Sequence, residues 1–150
     1  IAQTIAEKLG VASVDVIDAS KITTEKVESY DILLLGTSTW GDGELQDDWY
    51  DAIKTIKTAD LNGKIVALFG CGDSESYCDT FCDGMGVIYD QFKNSGCTFV
   101  GAVSADGYSY SSSIAIIDGK FVGLALDDVN ESGKTEERNN SWVEEIKKNL

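Results

Sequence analysis

The chain is built of alternating blocks of apolar and mixed residues, and the period of each block predicts a strand or a helix. Two continuous apolar runs, at 31–36 and 64–70, predict strands that are buried on both faces. Apolar residues that recur every three or four positions predict amphipathic helices, and shorter apolar runs predict further strands. The predicted helices lie at 1–10, 47–57, 80–95 and 135–150, and the further strands at 14–17, 97–103 and 120–126.

Strands and helices therefore alternate along the chain. This order is typical of an α/β fold, in which helices cover both faces of a parallel sheet. The 150 residues suit one domain with a buried core, and neither an internal repeat nor a domain boundary interrupts 1–150. The polar stretches 20–29 and 105–117 are predicted connections between these elements.

The charge balance narrows the choice of partner. The chain carries 26 acidic and 12 basic residues, a net charge of −14. Nucleic acid is disfavoured because its phosphates require a basic surface, whereas basic protein surfaces would be attracted over long range. Plain solubility is the alternative explanation of the acidity. No apolar run approaches the roughly 18 residues of a membrane span, and we expect a monomeric cytoplasmic protein.

Four cysteines stand at positions 71, 78, 82 and 97. They form no C-x-x-C pair and the chain has no histidine, which argues against a structural zinc site. Cys78 and Cys82 could share one face of a helix. Reduced thiols of a cytoplasmic protein are the simpler interpretation.

In an open parallel sheet, ligands bind beyond the carboxyl ends of the strands, which directs attention to the loop after the first apolar run. Three hydroxyl residues at 37–39 follow this run and offer hydrogen bonds to a polar ligand. Trp40 comes next, and a large aromatic in a surface loop suggests a flat stacking partner. Gly41 and Gly43 allow close backbone approach. The alternative is a solvent loop with Trp40 folded back onto the core.

The loop after the second apolar run repeats this arrangement. Cys71, Gly72 and Asp73 follow the strand, and the aromatic Tyr77 comes shortly after them. Two loops that each offer one aromatic side chain could hold a planar ring between them. The alternative interpretation makes Tyr77 a partly buried residue at the start of a helix.

Acidic residues cluster in the same two segments, and neither 41–53 nor 71–90 contains a lysine or an arginine. A solvated acidic face is the simple explanation. The functional explanation is that the acids disfavour further negative charge on a bound ligand. The acids are Asp42, Glu44, Asp47, Asp48 and Asp51 in the first segment, and Asp73, Glu75, Asp79, Asp83 and Asp90 in the second.

Three motifs along the chain resemble the flavodoxins, and the last of them resembles the long-chain branch of that family. The resemblance spans nearly all of the chain, and the motifs come in the right order. They are STWGDGELQDD at 38–48, FGCGDSESYCDTFC at 69–82, and DGKFVGLALD at 118–127 with EER at 136–138 and SWV at 141–143.

The resemblance implies a flavodoxin-like three-layer sandwich, with a parallel five-stranded sheet of order 2-1-3-4-5 between helices on both faces. An insertion at about 105–118 would interrupt the last strand. The resemblance also implies flavin mononucleotide (FMN) as the cofactor. The implied cofactor-binding residues are Thr37, Ser38, Thr39, Trp40, Gly41, Asp42, Gly43, Cys71, Gly72, Asp73, Tyr77, Cys78, Phe81 and Cys82.

Within that site, the resemblance implies that Trp40 stacks on one face of the flavin ring and Tyr77 on the other. The backbone N–H of Asp42 would meet the ring edge at N5. The Gly41 carbonyl would turn toward N5 when one electron arrives, a peptide flip that glycine permits at little steric cost. Further contacts would come from Thr39, Cys71, Gly72 and Asp73.

Flavodoxins begin with an apolar strand and a hydroxyl-rich phosphate loop, and residues 1–10 resemble the helix that follows them. We therefore expect the physical protein to contain that strand and loop before Ile1. No phosphate-binding residue is assigned.

The function implied by the resemblance is that of a low-potential electron carrier, not an enzyme, which passes one electron at a time on non-covalently bound FMN. Its partners would be reductases and acceptor enzymes with basic surfaces. Two alternatives stay open, a flavin-binding domain of a larger reductase and a cofactor-free interaction module. A response-regulator receiver is disfavoured, because Thr-Ser-Thr at 37–39 and Ser-Ala-Asp at 104–106 stand where it needs an aspartate and a lysine.

Overall fold

A mostly parallel sheet forms the centre of the molecule in the computed structural model, which describes residues 1–150. Strands and helices alternate largely as predicted. The strands are β1 (Ile32–Trp40), β2 (Glu44–Leu45), β3 (Ile65–Cys71), β4 (Thr98–Val100), β5 (Val103–Ser104), β6 (Ile116–Ile117), β7 (Lys120–Phe121) and β8 (Leu124–Leu126). The helices are α1 (Ala2–Leu9), α2 (Thr24–Glu28), α3 (Asp48–Lys57), α4 (Asp83–Phe92) and α5 (Ser132–Lys147), with 3₁₀ turns at Ser13–Asp15 and Ala19–Lys21.

Strand β3 lies at the middle of the sheet. It pairs in parallel with β1 along its whole length, from Ile65 opposite Ile32 to Cys71 opposite Ser38. Its other edge is shared, because β4 pairs with the first half of β3 and β8 with the last. Together β4 and β8 occupy one strand position, which residues 101–123 interrupt. The expected interruption of the last strand is therefore observed.

Side chains of β3 alternate between two layers of helices. Val66 and Leu68 belong to the core formed with α3 and α4, whereas Ala67 and Phe69 belong to the core formed with α1 and α5. This alternation makes a three-layer sandwich in which each helix buries one stripe.

In α1 the repeat of Ile1, Ile5 and Leu9 is only partly confirmed, since Ile5 is buried and Ile1 is exposed. The periodic apolar residues of α3, α4 and α5 are all buried: Trp49, Ile53, Ile56, Met85, Ile88, Phe92, Trp142, Val143 and Ile146. None of the helices has both the length and the apolar character needed to cross a membrane.

The interrupting segment folds back onto the domain. Its strands form a small antiparallel sheet in the order β5-β7-β6. The rings of Tyr108 and Tyr110 pack against the buried rings of Phe81 and Phe121. The Tyr108 hydroxyl donates a hydrogen bond to the Ala125 carbonyl at 2.8 Å. Burial raises the pKa of Tyr108 to about 12, so this hydroxyl remains a protonated donor. The aromatic cluster thus anchors the insertion beside β8.

The strand predicted at 120–126 is divided between β7 and β8, which belong to different sheets. Two further predicted elements start or break elsewhere. The helix predicted at 80–95 begins only at Asp83, because Cys82 has a left-handed backbone (φ 58°) that a regular helix does not allow. The strand predicted at 97–103 is broken at Gly101, which has φ 82° and packs against α5. The late start at Asp83 and the break at Gly101 both arise from local backbone conformations, which hydrophobic periodicity does not reveal.

The outer edge of β1 borders an apolar cavity of about 580 Å³, which α1, the segment 10–22 and β1 line together with residues of α3. On this edge β1 pairs only with β2, at Thr39 and Trp40. The strand predicted at 14–17 is wrong, since Ser13–Asp15 forms a 3₁₀ turn with no strand beside it. In the expected order 2-1-3-4-5, the last three positions are observed. The strand β1 occupies the first of them, β3 the second, and β4 and β8 together the third. The first two positions of that order stay a prediction.

Candidate functional site

The carboxyl ends of three parallel strands meet at one edge of the sheet. Ser38 of β1 is in register with Cys71 of β3, which is in register with Leu126 of β8. Beyond them, the Gly72 N–H donates to the Leu126 carbonyl at 2.9 Å, so the chain after β3 stays fastened to the end of β8. This edge is where ligands are expected in such a fold, and it carries both loops identified in the sequence.

The first loop is shorter than predicted, because β1 continues through Trp40 and turns back into β2. Trp40 pairs with Glu44, and residues 41–43 connect the two strands. Gly41 and Gly43 have φ angles of 47° and 91°, in the left-handed region that favours glycine. Trp40 is 47% exposed at the end of its strand. The interpretation in which Trp40 folds back onto the core is therefore wrong.

The three hydroxyl residues of β1 differ in what they offer. Thr37 is buried, and its hydroxyl donates to the Ser38 carbonyl at 2.8 Å. The Thr39 hydroxyl oxygen accepts a hydrogen bond from the Gly84 N–H at 3.0 Å, in the first turn of α4. Ser38 is half-buried between them. The hydroxyls of Thr37 and Thr39 are thus already engaged within the protein.

The second loop is organised by the Asp73 carboxylate. It accepts hydrogen bonds from the backbone N–H groups of Ser76 and Glu75 at 2.9 and 3.1 Å, and from the Asn130 side chain at 2.8 Å. These bonds, that from Ser76 foremost, lower the pKa of Asp73 to about 2. The Tyr77 N–H donates to the Asp73 carbonyl at 3.0 Å, and the Tyr77 side chain is 46% exposed. The interpretation of Tyr77 as a partly buried residue at a helix start is wrong.

Phe81 and Cys82, both expected at the cofactor, lie beneath this loop. They are 1% and 0% exposed. Phe81 belongs to the aromatic cluster, and the Cys82 thiol faces the Gly70 carbonyl at 3.8 Å. Their side chains support the loop from below and do not line its surface, which corrects the expectation of direct contact with a ligand. The Cys78 carbonyl accepts the backbone N–H groups at 111 and 112, and so ties the loop to the insertion.

Cys71 and Gly72 leave the sheet beside these buried side chains. Burial raises the pKa of the Cys71 thiol, so the thiol stays neutral. A Cβ atom at Gly72 would lie 2.9 Å from the backbone nitrogen of Cys82, so the chain passes closer there than any larger residue allows. The backbone at this point is therefore tightly held.

Exposed acids lie in both loops and in the helices that follow them, and two predicted members, the half-buried Asp73 and the buried Asp83, are not among them. Asp83 is buried, and its carboxylate accepts the Ile114 N–H at 2.8 Å, so it fastens the insertion to the start of α4. Burial raises the pKa of Asp83. The exposed acids, which we call the acidic rim, are Asp42, Glu44, Asp47, Asp48, Asp51, Glu75, Asp79 and Asp90.

Sequence reasoning missed a buried carboxylate beside the second loop. Asp127 is 1% exposed and accepts hydrogen bonds from Ser74 and Asn130. A signal for it was present, because Asp127 directly follows the predicted strand at 120–126 and so stands at another ligand-facing strand end. Its partner Ser74 lies far away in sequence, which concealed the pairing.

Comparison with known proteins agrees with this geometry. The sequence model of the family described as Flavodoxin matches residues 1–142. The chain belongs to the flavodoxin family. Flavodoxin 1 of Escherichia coli (strain K12) is 45% identical over 151 residues, which cover 100% of this chain and 86% of that protein. Flavodoxin 1 of Azotobacter vinelandii is 42% identical over 147 residues, which cover 95% of this chain and 84% of that one.

A solved flavodoxin shares the arrangement of the chain. The crystal structure of Fusobacterium nucleatum flavodoxin bound to flavin mononucleotide matches with a TM-score of 0.86 at 30% identity, over 99% of this chain and 90% of that one. The resemblance found in the three motifs and the flavodoxin-like α/β fold are thereby confirmed. Membership of this family makes electron transfer the general function of the chain.

Proposed function

We propose that this flavodoxin carries electrons one at a time, at low potential, on non-covalently bound FMN between redox partner proteins. The observation that carries the proposal is the pair of half-exposed aromatic side chains, Trp40 at the end of β1 and Tyr77 on the loop after the neighbouring strand β3. Exposed aromatic side chains at such an edge suit a flat ring, because stacking on the ring would bury the aromatic surface that the protein core leaves uncovered. The Fusobacterium nucleatum relative of similar fold was solved with FMN bound.

The first loop fits the edge of a flavin ring. Gly41 has φ 47°, in the region that favours glycine, and a Cβ atom there would meet only the flexible Glu44 carboxyl group within 4 Å, so the backbone at this point is open. The N–H of the Gly41–Asp42 peptide would donate a hydrogen bond to an acceptor at the ring edge, and its carbonyl, if the peptide turned over, would accept one from a donor there. When bound, FMN supplies the redox chemistry. The protein binds and orients the ring, and the Gly41–Asp42 peptide offers either a hydrogen-bond donor or an acceptor to the ring edge.

The acidic rim sets the electrostatic surroundings of that ring. Six of its eight acids form no ion pair, and only Asp51 and Asp90 are paired, with Lys54 and Lys93. Negative surroundings raise the free energy of any added negative charge on the ligand. A reduced anionic flavin is therefore disfavoured, which lowers the reduction potential.

The same rim favours partners with basic surfaces, such as reductases and acceptor enzymes. To test this, we would measure the association rate with a basic haem-containing acceptor protein by stopped flow. The rate should fall as ionic strength rises, and the double variant Asp42→Asn/Glu44→Gln should lower it several-fold at low salt. The control Asp31→Asn/Asp60→Asn removes equal charge at the opposite end of β1 and β3 and should have little effect. Equal effects of both variants would contradict the role of the rim.

We further propose that the carrier works as a monomer in the cytoplasm. All four cysteines are free thiols. Free thiols persist where glutathione and thioredoxin keep the compartment reducing. Light scattering on the purified protein tests the monomeric state directly.

Titration with FMN tests the central proposal. The protein should quench FMN fluorescence and take on the visible absorption of bound flavin. Trp40→Ala should weaken FMN binding by more than tenfold, about 1.4 kcal/mol, whereas Trp40→Phe should keep most of the affinity. Tyr50→Ala is the matched control, because Tyr50 is an equally exposed aromatic, at 50%, on the outer face of α3.

Two results would overturn the proposal. Unchanged affinity in Trp40→Ala would remove Trp40 from the site. A colourless protein that takes up no FMN would reject the carrier function and favour a cofactor-free interaction module.

A further inference from the structure

The carboxylate of Asp127 lies buried where the loops after β3 and β8 meet. One oxygen, Oδ2, accepts hydrogen bonds from the Ser74 hydroxyl and from the Ser74 backbone N–H, the latter at 3.2 Å. The other, Oδ1, accepts the Asn130 backbone N–H at 3.1 Å. The Asn130 side-chain amide reaches both oxygens, at 3.0 and 3.1 Å. The Asp127 side chain thus joins its own loop, which contains Asn130, to the loop of Ser74, which lies 53 positions earlier in the sequence.

Asn130 extends this network to the second loop. Its side-chain nitrogen also donates to Asp73 Oδ1 at 2.8 Å, so it bridges the carboxylates of Asp73 and Asp127. Asp73 in turn binds the N–H groups of the turn before Tyr77, and its carbonyl accepts the Tyr77 N–H at 3.0 Å. A continuous chain of hydrogen bonds therefore runs from Asp127 to the backbone of the exposed aromatic Tyr77.

No cation neutralises Asp127, because none of the ion pairs in the structure includes it. Burial by itself would raise the pKa of Asp127, but the hydrogen bonds from Ser74 and Asn130 outweigh that effect and lower it. The carboxylate is therefore held by neutral donors, and each lost donor leaves a buried charge less well satisfied. Such a group enforces one arrangement of the loops around it.

We propose that Asp127 is a positioning residue, which holds Tyr77 in place for the flavin ring through Ser74, Asn130 and Asp73. This inference rests on the proposed function for its flavin part. Asp127 itself touches no ligand, since it is 1% exposed. Its effect on flavin binding passes through the loop that carries Tyr77.

Amide hydrogen exchange of the flavin-free protein tests the loop part alone. Asp127→Asn should speed exchange at Ser74, Ser76 and Tyr77 about tenfold or more, while amides of β3 keep their protection. Asp128→Asn is the matched control, since it removes the same charge one residue away and its amide oxygen can still accept from Thr135. Ser74→Ala and Asn130→Ala serve as second variants if Asp127→Asn does not fold. Unchanged exchange in these variants overturns the proposal.

FMN titration with a double-mutant cycle tests the flavin part. Asp127→Asn should weaken binding about tenfold in the wild-type background and much less in the Tyr77→Ala background, because the residue acts through Tyr77. Equal losses in both backgrounds would show a merely structural role and overturn the proposal. If the wild-type protein binds no FMN, the proposed function fails, and with it the flavin part. The exchange result then decides the loop part separately.

Discussion

The hydroxyl oxygen of Thr39 accepts the hydrogen bond of the Gly84 backbone N–H at 3.0 Å. This contact joins the end of β1 to the first turn of α4, where backbone N–H groups lack partners within the helix. A Cβ atom at Gly84 would lie 2.9 Å from the Ser38 carbonyl oxygen, so the helix approaches the strand as closely as two backbones allow. Thr39 therefore stabilises the contact between β1 and α4, in addition to the cofactor contact that the sequence predicts for it.

Thr39→Val should separate those two roles. Valine keeps the shape of threonine but cannot accept the Gly84 hydrogen bond, so the free energy of unfolding should fall by about 1 kcal/mol. Thr39→Ser keeps the acceptor and should lose less. Urea unfolding measures the effect, and FMN titration of the same proteins shows whether affinity follows stability. A stable Thr39→Val protein with weakened FMN binding would assign the hydroxyl to the ligand instead.

The hairpin glycine Gly43 should tolerate no side chain. It has φ 91°, and a Cβ atom there would lie 2.9 Å from the Asp83 carboxylate. Gly43→Ala should therefore cost about 2–3 kcal/mol of unfolding free energy and also weaken FMN binding, because the hairpin must move. Gly107→Ala provides the control, since Gly107 has φ 82° but open space around it. That change should cost about 1 kcal/mol, and equal costs at the two sites would contradict the close contact.

Gly123 and Gly133 should respond to alanine in opposite directions. A Cβ atom at Gly123 would lie 2.1 Å from the Leu68 carbonyl oxygen, a backbone atom of the central strand. Gly123→Ala should therefore destabilise the protein by about 3 kcal/mol or more. Gly133 lies in α5 with nothing within 4 Å of a new Cβ, so Gly133→Ala should add about 0.5 kcal/mol. Thermal and urea unfolding of both variants test the pair, and a harmless Gly123→Ala would show that β8 does not pack against β3 as described.

Acid should remove the stability that Asp73 supplies. Hydrogen bonds lower its pKa to about 2 in the folded protein, against 3.8 ordinarily. The unfolded chain binds the proton more readily, so the contribution of Asp73 is present above pH of about 4 and is lost as pH falls toward about 2. The stability difference between wild type and Asp73→Asn should therefore shrink across that interval. Asn130→Ala keeps the carboxylate, removes one donor, and should reduce the effect in part; a difference that stays constant with pH would contradict the assignment.

Much of this protein was already determined by its sequence. The period of apolar residues was enough to place β1, β3 and the buried stripes of α3, α4 and α5, because burial on one or both faces imposes a repeat that needs no knowledge of the partner. Trp40 and Tyr77 could be chosen as candidate binding residues for a related reason. Each follows a strand end of a parallel sheet, and all such ends lie on one edge.

The tertiary structure alone decided how those loops are held. The strand predicted at 14–17 is not observed, and Ser13–Asp15 forms a 3₁₀ turn at its start. Asp83 is buried and not part of the acidic rim, because its carboxylate accepts a hydrogen bond from the distant Ile114 N–H. Asp127 is likewise the centre of a hydrogen-bond network because it accepts hydrogen bonds from the distant Ser74. Local patterns report which side chains seek burial. They do not report which distant backbone N–H group will meet a carboxylate, since that depends on the packed chain as a whole.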